Sequence, residues 1–292
     1  MDLQSLKIFK AVAEEGGIAR AAKVLNCVQS NVSTRLKQFE GRLGIQLFYR
    51  LNGRLVITNE GSQLLGYADR MLQLAEEVQS ILKNGGEPAG KLRIGSTEVI
   101  AAARLPSILA DFHRRYPRVD MAIKTSSVEH VIHAVTGHRL DIALVPAPVI
   151  SDDLDQDDAF EEELVLVSDH GHSNITSVED VIGSTYLALS AGCAYRARYE
   201  RWLGETGFRA GNVVELSTSE LIIACAGAGM GISLMPKSLV ERWELAGVVR
   251  SHAIASDVAR AKTLFVWPTG IAQHTARDAF VQFIRDQGVR MQ

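Results

Sequence analysis

Five polar residues between positions 29 and 37 carry side chains that can donate and accept hydrogen bonds at base edges. They are Gln29, Ser30, Ser33, Thr34 and Lys37. An amide or a hydroxyl can pair with bases in a major groove, and a long cation can pair with guanine or phosphate. Arg35 adds a second cation to the same segment. These residue types indicate a surface that binds duplex DNA.

A helix can present such a face only if its other face is buried. Val32, Leu36, Phe39 and Leu43 recur at spacings of four, three and four residues, which predicts one apolar stripe on an α-helix. A short run of small residues and a tight polar turn precede this helix. The two helices predict a helix-turn-helix, whose second helix enters the major groove.

The segment after the second helix predicts a wing. Two short strand-like runs flank the turn Asn52-Gly53. Arg50 and Arg54 stand on either side of that turn, within reach of phosphates or the minor groove.

The distribution of charge supports this interpretation. The whole chain has 292 residues and a net charge of −3. Residues 1–58 hold nine Lys or Arg against four acids, a net charge of +5, which leaves 22 against 30, or −8, for the rest. A basic end on an acidic body is typical of a duplex-binding module joined to a part that does not touch DNA.

A long helix is predicted from Thr58, the expected N-cap, with Glu60 in its first turn. Its apolar residues follow a heptad-like spacing: Leu64, Ala68, Met71, Ala75, Val78 and Leu82. That spacing suits pairing with a second chain. Packing against the helix's own domain is the alternative. The glycines and the proline of 84–90 then predict a linker.

Beyond the linker, strands alternate with helices, which predicts an α/β fold. The predicted strands are 91–96, 119–125, 140–145, 163–168, 186–189, 213–217, 231–234 and 263–267. The predicted helices are 101–115, 128–138, 194–206, 219–228 and 274–287. The acidic segment 151–163 is predicted to cross between two lobes. A ligand cleft is expected between the lobes, beyond the carboxyl ends of the strands.

Other classes of protein find little support in the sequence. Three cysteines, at 27, 193 and 225, form no disulfide framework or CxxC pair. A signal peptide and a membrane-length apolar run are not apparent, so a cytoplasmic protein without membrane contact is expected. His130 and His133 lack an evident third metal ligand, and the glycines of 227–231 precede a strand, where a nucleotide fingerprint would follow one. Neither a metal nor a cofactor is expected.

The order of these parts resembles the LysR-type transcriptional regulators over essentially the whole chain. The residues that resemble the family's helix-turn-helix signature are Ala21, Ala22, Leu25, Gln29, Ser30, Val32, Ser33, Leu36, Glu40, Leu43, Gly44, Leu47 and Phe48. Thr58 and Gly61 fit its wing-to-linker junction. The segments 92–95, 140–143 and 229–236 resemble three recurrent phrases of its effector domain.

The resemblance implies an α/β multidomain protein with a winged helix-turn-helix (1–58), a dimerising linker helix (59–84) and a hinge (85–90). A two-lobed effector-binding domain that resembles periplasmic binding proteins follows at 91–292. Its first lobe takes in about 91–160 and 266–292, and its second about 161–265. A homodimer or homotetramer is expected, and RNA polymerase is a further expected partner.

Carried over by position, the resemblance places Gln29, Ser30 and Ser33 at bases, and Arg50 or Arg54 at the backbone or minor groove. Two residues depart from the pattern. Val28 stands where a capping Ser is frequent, and Thr34 stands where a long Arg is frequent.

The effector is expected to be a small organic anion, bound by short hydroxyls and backbone N–H groups where helices begin. The expected effector residues are Ser96, Thr97, Thr125, Ser126, Cys193, Tyr195, Arg196, Thr218 and Ser219. Arg196 is the expected charge partner, and Tyr195 a wall or a donor. Helix capping alone remains the alternative for each Ser and Thr, and a surface ion pair remains the alternative for Arg196.

These features together predict a regulator that binds promoter DNA sequence-specifically and changes its DNA geometry when an effector closes the lobes. Two alternatives remain: an enzyme with an accessory helix-turn-helix, and an architectural DNA-binding protein without a ligand. A catalytic motif that would support an enzyme is not apparent. Redox sensing through Cys193 and Cys225 is a further alternative.

Overall fold

The computed structural model describes residues 1–51, 54–84, 87–254, 257–270 and 274–288. The chain divides into two compact units. The first is formed by Met1–Gly90 with Gly137–Arg139, and the second by Lys91–Thr136 with Leu140–Gln292.

The first unit contains the predicted helix-turn-helix, wing and long helix. Its elements are α1 (Leu3–Glu15), α2 (Ile18–Val24), α3 (Gln29–Leu43), β1 (Phe48–Leu51), β2 (Arg54–Ile57) and α4 (Asn59–Asn84). The strands β1 and β2 pair antiparallel, with Leu51 opposite Arg54. The predicted turn Asn52-Gly53 lies outside the described residues.

The second unit alternates helices and strands, as the sequence predicts. Its helices are α5 (Glu98–Arg115), α6 (Val128–Thr136), α7 (Ala194–Glu205), α8 (Ser219–Gly227), α9 (Lys237–Leu245) and α10 (Thr275–Gly288). Its strands are β3 (Gly90–Ser96), β4 (Val119–Thr125), β5 (Ile142–Pro146), β6 (Leu154–Asp169), β7 (Tyr186–Ala188), β8 (Val213–Glu215), β9 (Ser233–Pro236), β10 (Val249–Ala253) and β11 (Arg260–Pro268).

Strand β6 runs through both lobes of this unit. Its first half pairs antiparallel with β11, and its second half pairs with β9 and β10. On the far side of β11, the order continues through β5, β3 and β4. The sequence separates an acidic crossover from a strand at 163–168, but the two form one strand. Lys262 and Arg260 of β11 form surface ion pairs with Asp158 and Glu161 of the acidic half, which pairs with β11 through the backbone.

Helix α9 and strand β10 are absent from the sequence prediction. Pro236 is the N-cap of α9, and only Leu239 and Val240 of this helix are buried. A stripe this short shows no helical period. In β10 the buried positions are Val249 and His252, and a buried histidine does not produce an apolar alternation.

Each lobe has its own apolar core. The first lobe packs α5 and α10 on the sheet through side chains that include Leu92, Ile94, Phe112, Ile142, Phe265 and Phe280. The second lobe buries a larger set that includes Leu166, Tyr186, Tyr199, Ile222, Ile223 and Leu234. Val99 of α5 belongs to the second set, so the first turn of α5 packs against the second lobe.

A buried ion pair holds the start of β3 to β5. The guanidinium of Arg93 donates to both carboxylate oxygens of Asp141, at 2.7 and 3.2 Å, and the Arg93 backbone N–H donates at 2.6 Å. The parallel register of β3 and β5 begins one residue later, at Ile94 and Ile142. The pair therefore lies directly before the aligned part of these two strands.

His252 is buried in β10 as a neutral imidazole. Its Nδ1 accepts the N–H of Ile175 at 3.1 Å, and its Nε2 lies 2.8 Å from the hydroxyl of Ser168. That hydroxyl donates to the Asp169 carbonyl, so the imidazole proton lies on Nε2. Burial lowers the pKa of His252, with the charges of Arg250 and His172 adding to the effect.

We predict that the free energy of unfolding falls as the pH drops below about 6.5, the ordinary pKa of histidine. The unfolded chain binds a proton on His252 before the folded chain does, so acid favours unfolding. Urea unfolding at pH 7.5 and 5.5 measures this dependence. His252→Gln should show a smaller loss between the two pH values. The exposed-site control His130→Gln should keep the wild-type loss, and an equal loss in all three proteins would contradict the prediction.

Candidate functional site

The recognition helix α3 is fixed by its apolar side. Val32, Leu36 and Phe39 are buried, and Leu43 is half-buried. The ring of Phe9 in α1 lies 6.2 Å from that of Phe39. Each such side chain contributes about 1.5–3 kcal/mol on burial, so this stripe determines which face of α3 is left for solvent.

The opposite face of α3 presents the residues predicted to contact DNA. Gln29, Ser30, Thr34, Arg35 and Lys37 are exposed, and Ser33 is half-buried. The structure therefore brings Gln29, Ser30, Ser33, Thr34 and Lys37 together on one surface, which we call the polar face of α3. Arg35 is two positions, or about 200°, from Lys37 and lies on another side of the helix.

The first turn of α3 is suited to an anion. Val28 is the N-cap, and its side chain offers no acceptor to the helix. The first turn also lacks an acid. The first N–H groups of a helix have no intrahelical partner and carry partial positive charge, which favours a phosphate.

Small residues allow α2 to approach α3. Ala21 and Ala22 are buried, and Ala22 accepts the N–H of Cys27 in the turn at 2.9 Å. Asn26 takes a left-handed conformation, with φ of 53°, in the same turn.

The wing is tied to the recognition helix by Glu40. Its Oε1 accepts the N–H of Leu47 at 2.8 Å and that of Phe48 at 3.2 Å. Arg50 is exposed in β1, in accordance with its predicted position. Arg54 opens β2, and its side chain lies outside the described part of the structure.

The wing-to-helix junction confirms the predicted N-cap of α4. The hydroxyl of Thr58 accepts the N–H of Gly61 at 2.9 Å and donates to the carbonyl of Gln46 at 3.0 Å. A Cβ on Gly61 would stand 2.5 Å from the carbonyl oxygen of Leu47. Only glycine fits this close approach.

In the second unit, Ser96 and Thr97 stand between β3 and α5. Ser96 is fully buried, and its hydroxyl donates to the carbonyl of Leu144 at 3.1 Å. Thr97 is the N-cap of α5, and its Oγ1 is buried without a hydrogen-bond partner. Of the two predicted effector residues, Thr97 keeps a hydroxyl available.

Thr125 ends β4 and Ser126 follows it, and both side chains are exposed. The Ser126 N–H donates to the carbonyl of Ser96 at 3.1 Å, which joins the two strand ends. The Ser127 hydroxyl lies 2.7 Å from Nδ1 of His130 in the first turn of α6.

The segment at the start of α7 is largely committed to the protein's own contacts. Tyr195 is buried in the second lobe's core, and burial raises the pKa of its phenol. Arg196 pairs with Glu200 at 3.0 Å and with Glu215 at 3.5 Å. These contacts favour the alternative interpretation of Arg196 as a surface ion pair.

Thr218 and Ser219 begin α8, and both hydroxyls are used. Thr218 is the N-cap, and its Oγ1 accepts the N–H of Leu221 at 3.2 Å. The Ser219 hydroxyl donates to the carboxylate of Glu98 at 2.9 Å. Glu98 is not among the residues predicted from sequence. The sequence shows Glu98 directly after Thr97 at the start of a helix. It does not show the contact with Ser219, which lies 121 residues further along the chain.

The described residues show neither a metal cluster nor a membrane-spanning helix. They contain no group of three or more His, Cys, Asp or Glu that could hold a metal ion. Within the same ranges, none of the helices is both long and apolar enough to cross a membrane.

Family models match the chain in two parts. Residues 3–62 match the bacterial regulatory helix-turn-helix protein, lysR family, and residues 85–289 match the LysR substrate binding domain. Among curated relatives, the chain is 37% identical to the HTH-type transcriptional regulator GltR of Bacillus subtilis, over 98% of this chain and 97% of that protein. It is 35% identical to CzcR of Bacillus thuringiensis, over 91% of each.

Solved structures share the fold over nearly the full length. Full-length OxyR from Pseudomonas aeruginosa matches with a TM-score of 0.78 and 22% identity, over 98% of this chain and 95% of that one. Full-length CbnR, solved with its target DNA, matches with a TM-score of 0.69 and 20% identity, over 98% and 99%.

Because Cys193 at the start of α7 is partly buried, we expect its thiol to react slowly with alkylating reagents. Burial raises the pKa of Cys193, and the negative charge of Glu98 adds to this effect, while N–H groups of α7 oppose it. We expect Cys193 in the folded chain to be alkylated by iodoacetamide at pH 7.5 several-fold more slowly than glutathione. Peptide mass spectrometry separates Cys193 from Cys27 and Cys225. Alkylation as fast as that of glutathione would contradict this expectation and revive the redox alternative.

Proposed function

This chain belongs to the LysR family of bacterial regulatory helix-turn-helix proteins, and we propose that it binds promoter DNA as a homodimer or homotetramer. It is a transcriptional regulator, with an effector-binding domain after the helix-turn-helix. The observation that carries the proposed DNA contact is the exposed polar face of α3, which is held in place by the buried stripe behind it.

The polar face of α3 supplies two kinds of contact. Gln29, Ser30 and Ser33 lie in the first turns and would reach base edges, as the N-terminal residues of recognition helices do. Lys37 on this face would bind a phosphate, and Arg35 on a neighbouring side of α3 and Arg50 in the wing would add phosphate contacts that set the register on the duplex. Thr34 is exposed and offers a short hydroxyl for a base or a phosphate.

An exposed apolar stripe on α4 supports assembly with a second chain. It consists of Tyr67, Met71, Leu74, Val78 and Leu82, which are 39–79% exposed. Their spacing of four, three, four and four residues places them on one side of the helix. The predicted stripe is therefore shifted: Ala68 is fully buried in the first unit's own core, and Leu74 is exposed.

The effector unit would bind its ligand reversibly rather than transform it. An organic anion suits the start of α5, where the buried hydroxyl of Thr97 has no partner. The proposed regulator acts in the cytoplasm on promoter DNA, and RNA polymerase is its proposed protein partner there. Ligand-driven closure of the lobes would change the spacing of the DNA-binding units and hence the DNA bend.

Substitutions on the polar face of α3 should separate base readout from phosphate binding. Gln29→Ala should weaken binding to the promoter duplex by about 5- to 150-fold, because a bidentate base contact discriminates by about 1–3 kcal/mol. Binding to an unrelated duplex should change little. Fluorescence anisotropy with both duplexes measures the two affinities.

Lys37→Ala should weaken binding to both duplexes and reduce the slope of log affinity against log salt by about 1. Lys91→Ala, at an exposed lysine of the second unit, is the control and should leave both affinities unchanged. If Gln29→Ala weakens both duplexes equally, the proposed base contact is wrong.

The stripe on α4 should control oligomeric state. Leu74→Asp places a charge in an apolar pairing face and should raise the dissociation constant of the dimer by at least about tenfold. Glu76→Ala, at an exposed position on the opposite side of α4, should leave it unchanged. Analytical ultracentrifugation over a dilution series measures both. A Leu74→Asp protein that stays dimeric at every concentration at which the wild type is dimeric would refute the pairing.

A further inference from the structure

Helix α5 belongs to the first lobe by its position in the chain but is fastened to the second lobe by its first turn. The side chain of Val99 lies in the second lobe's core cluster. Ala103, one turn further along, packs against the same cluster. The face of α5 that contains residues 99 and 103 therefore forms part of the joint between the lobes.

Glu98 adds a polar contact to this joint. Its two carboxylate oxygens each lie 3.2 Å from the backbone nitrogen of Ser219, and Oε1 accepts the Ser219 hydroxyl at 2.9 Å. Ser219 is 1% exposed and Glu98 is half-buried, so the donor side of these bonds is shielded from water. Hydrogen bonds to a charged acceptor in such a place are stronger than those between neutral groups.

The charge of Glu98 also fits its partner electrostatically. Ser219 is the first residue of α8, where the helix carries partial positive charge. In the same turn of α8, the N–H of Leu221 donates to the hydroxyl oxygen of Thr218. A carboxylate of the protein thus already occupies the donors that an anionic ligand would use at α8.

A second polar contact fastens α5 along its length. The guanidinium of Arg104 contacts the carboxylate of Glu162, which is 2% exposed on strand β6. Glu162 also accepts the hydroxyl of Ser238, in α9 of the second lobe, at 3.0 Å. Because this contact lies on the strand shared by both lobes, it can persist while the contact at Glu98 is released.

We infer that Glu98 is an internal competitor of the effector: its carboxylate latches α8 to α5, and an anionic effector can take the Ser219 donors only after displacing it. The inference rests on the proposed effector function and adds the step that precedes binding. The latch sets a threshold on affinity, because every anion at α8 must first replace the hydrogen bonds that Glu98 makes.

Removing the latch carboxylate tests this inference without a known effector. Hydrogen–deuterium exchange of the full-length chain, resolved to the first turn of α8, reports the Ser219 amide. In Glu98→Ala this amide should exchange about tenfold faster or more, because a hydrogen bond to a charged acceptor is lost. Glu98→Gln, which keeps one acceptor oxygen, should be intermediate. Glu129→Ala removes the exposed first-turn glutamate of α6 and should match the wild type.

Acetate serves as the anion probe, with ionic strength held constant by chloride. Acetate should restore protection of the Ser219 amide in Glu98→Ala. It should have no effect in the wild type, where the Glu98 carboxylate already accepts the hydrogen bonds of Ser219. Unchanged exchange in Glu98→Ala, or failure of acetate to restore protection, would overturn the latch. Circular dichroism checks folding, and if Glu98→Ala does not fold, faster exchange in Glu98→Gln that acetate reverses carries the test.

Promoter binding by the same proteins distinguishes a failure of the proposed DNA-binding function from a failure of the Glu98 latch. A wild-type chain that fails to prefer its promoter would overturn the proposed function and leave the exchange results standing. A wild-type chain that prefers its promoter, together with unaltered α8 exchange in the Glu98 variants, would overturn the latch alone.

Discussion

The burial of one stripe on α3 is the constraint on which the DNA-binding unit depends. Phe39 and its apolar neighbours must face α1, so the polar side of the helix has only one direction left. The wing follows from the same helix, since Glu40 of α3 holds the N–H groups at the start of β1. A loss of this packing would release both surfaces that the unit offers to a duplex.

The second unit contains two separate apolar cores that are joined by shared elements. Strand β6 supplies a paired segment to each lobe, and β11 pairs along its acidic half. Helix α5 crosses the same joint through Val99 and Glu98. In the proposed switch, the strand pair would hold the lobes together while release of the Glu98 contact lets them take a second arrangement.

Local pattern predicted the elements whose burial is periodic. The residues that form the stripe of α3 and the cap at Thr58 are close together in the sequence. Both features were therefore predicted correctly. On α4, Ala68 and Leu74 show the limit: the predicted pairing stripe included Ala68 and omitted Leu74, but packing buries Ala68 in its own unit and leaves Leu74 exposed. Glu98 could not be predicted, because its partner Ser219 is brought near only by the tertiary fold.

Recognition of a particular DNA sequence by the polar face of α3 can be measured by competition, at physiological salt, for a labelled duplex from upstream of the protein's own gene. The unlabelled upstream duplex should compete at least about 10³-fold better than a shuffled duplex of equal length and composition. Equal competition by the two duplexes would show binding to the DNA backbone alone, without recognition of sequence by α3.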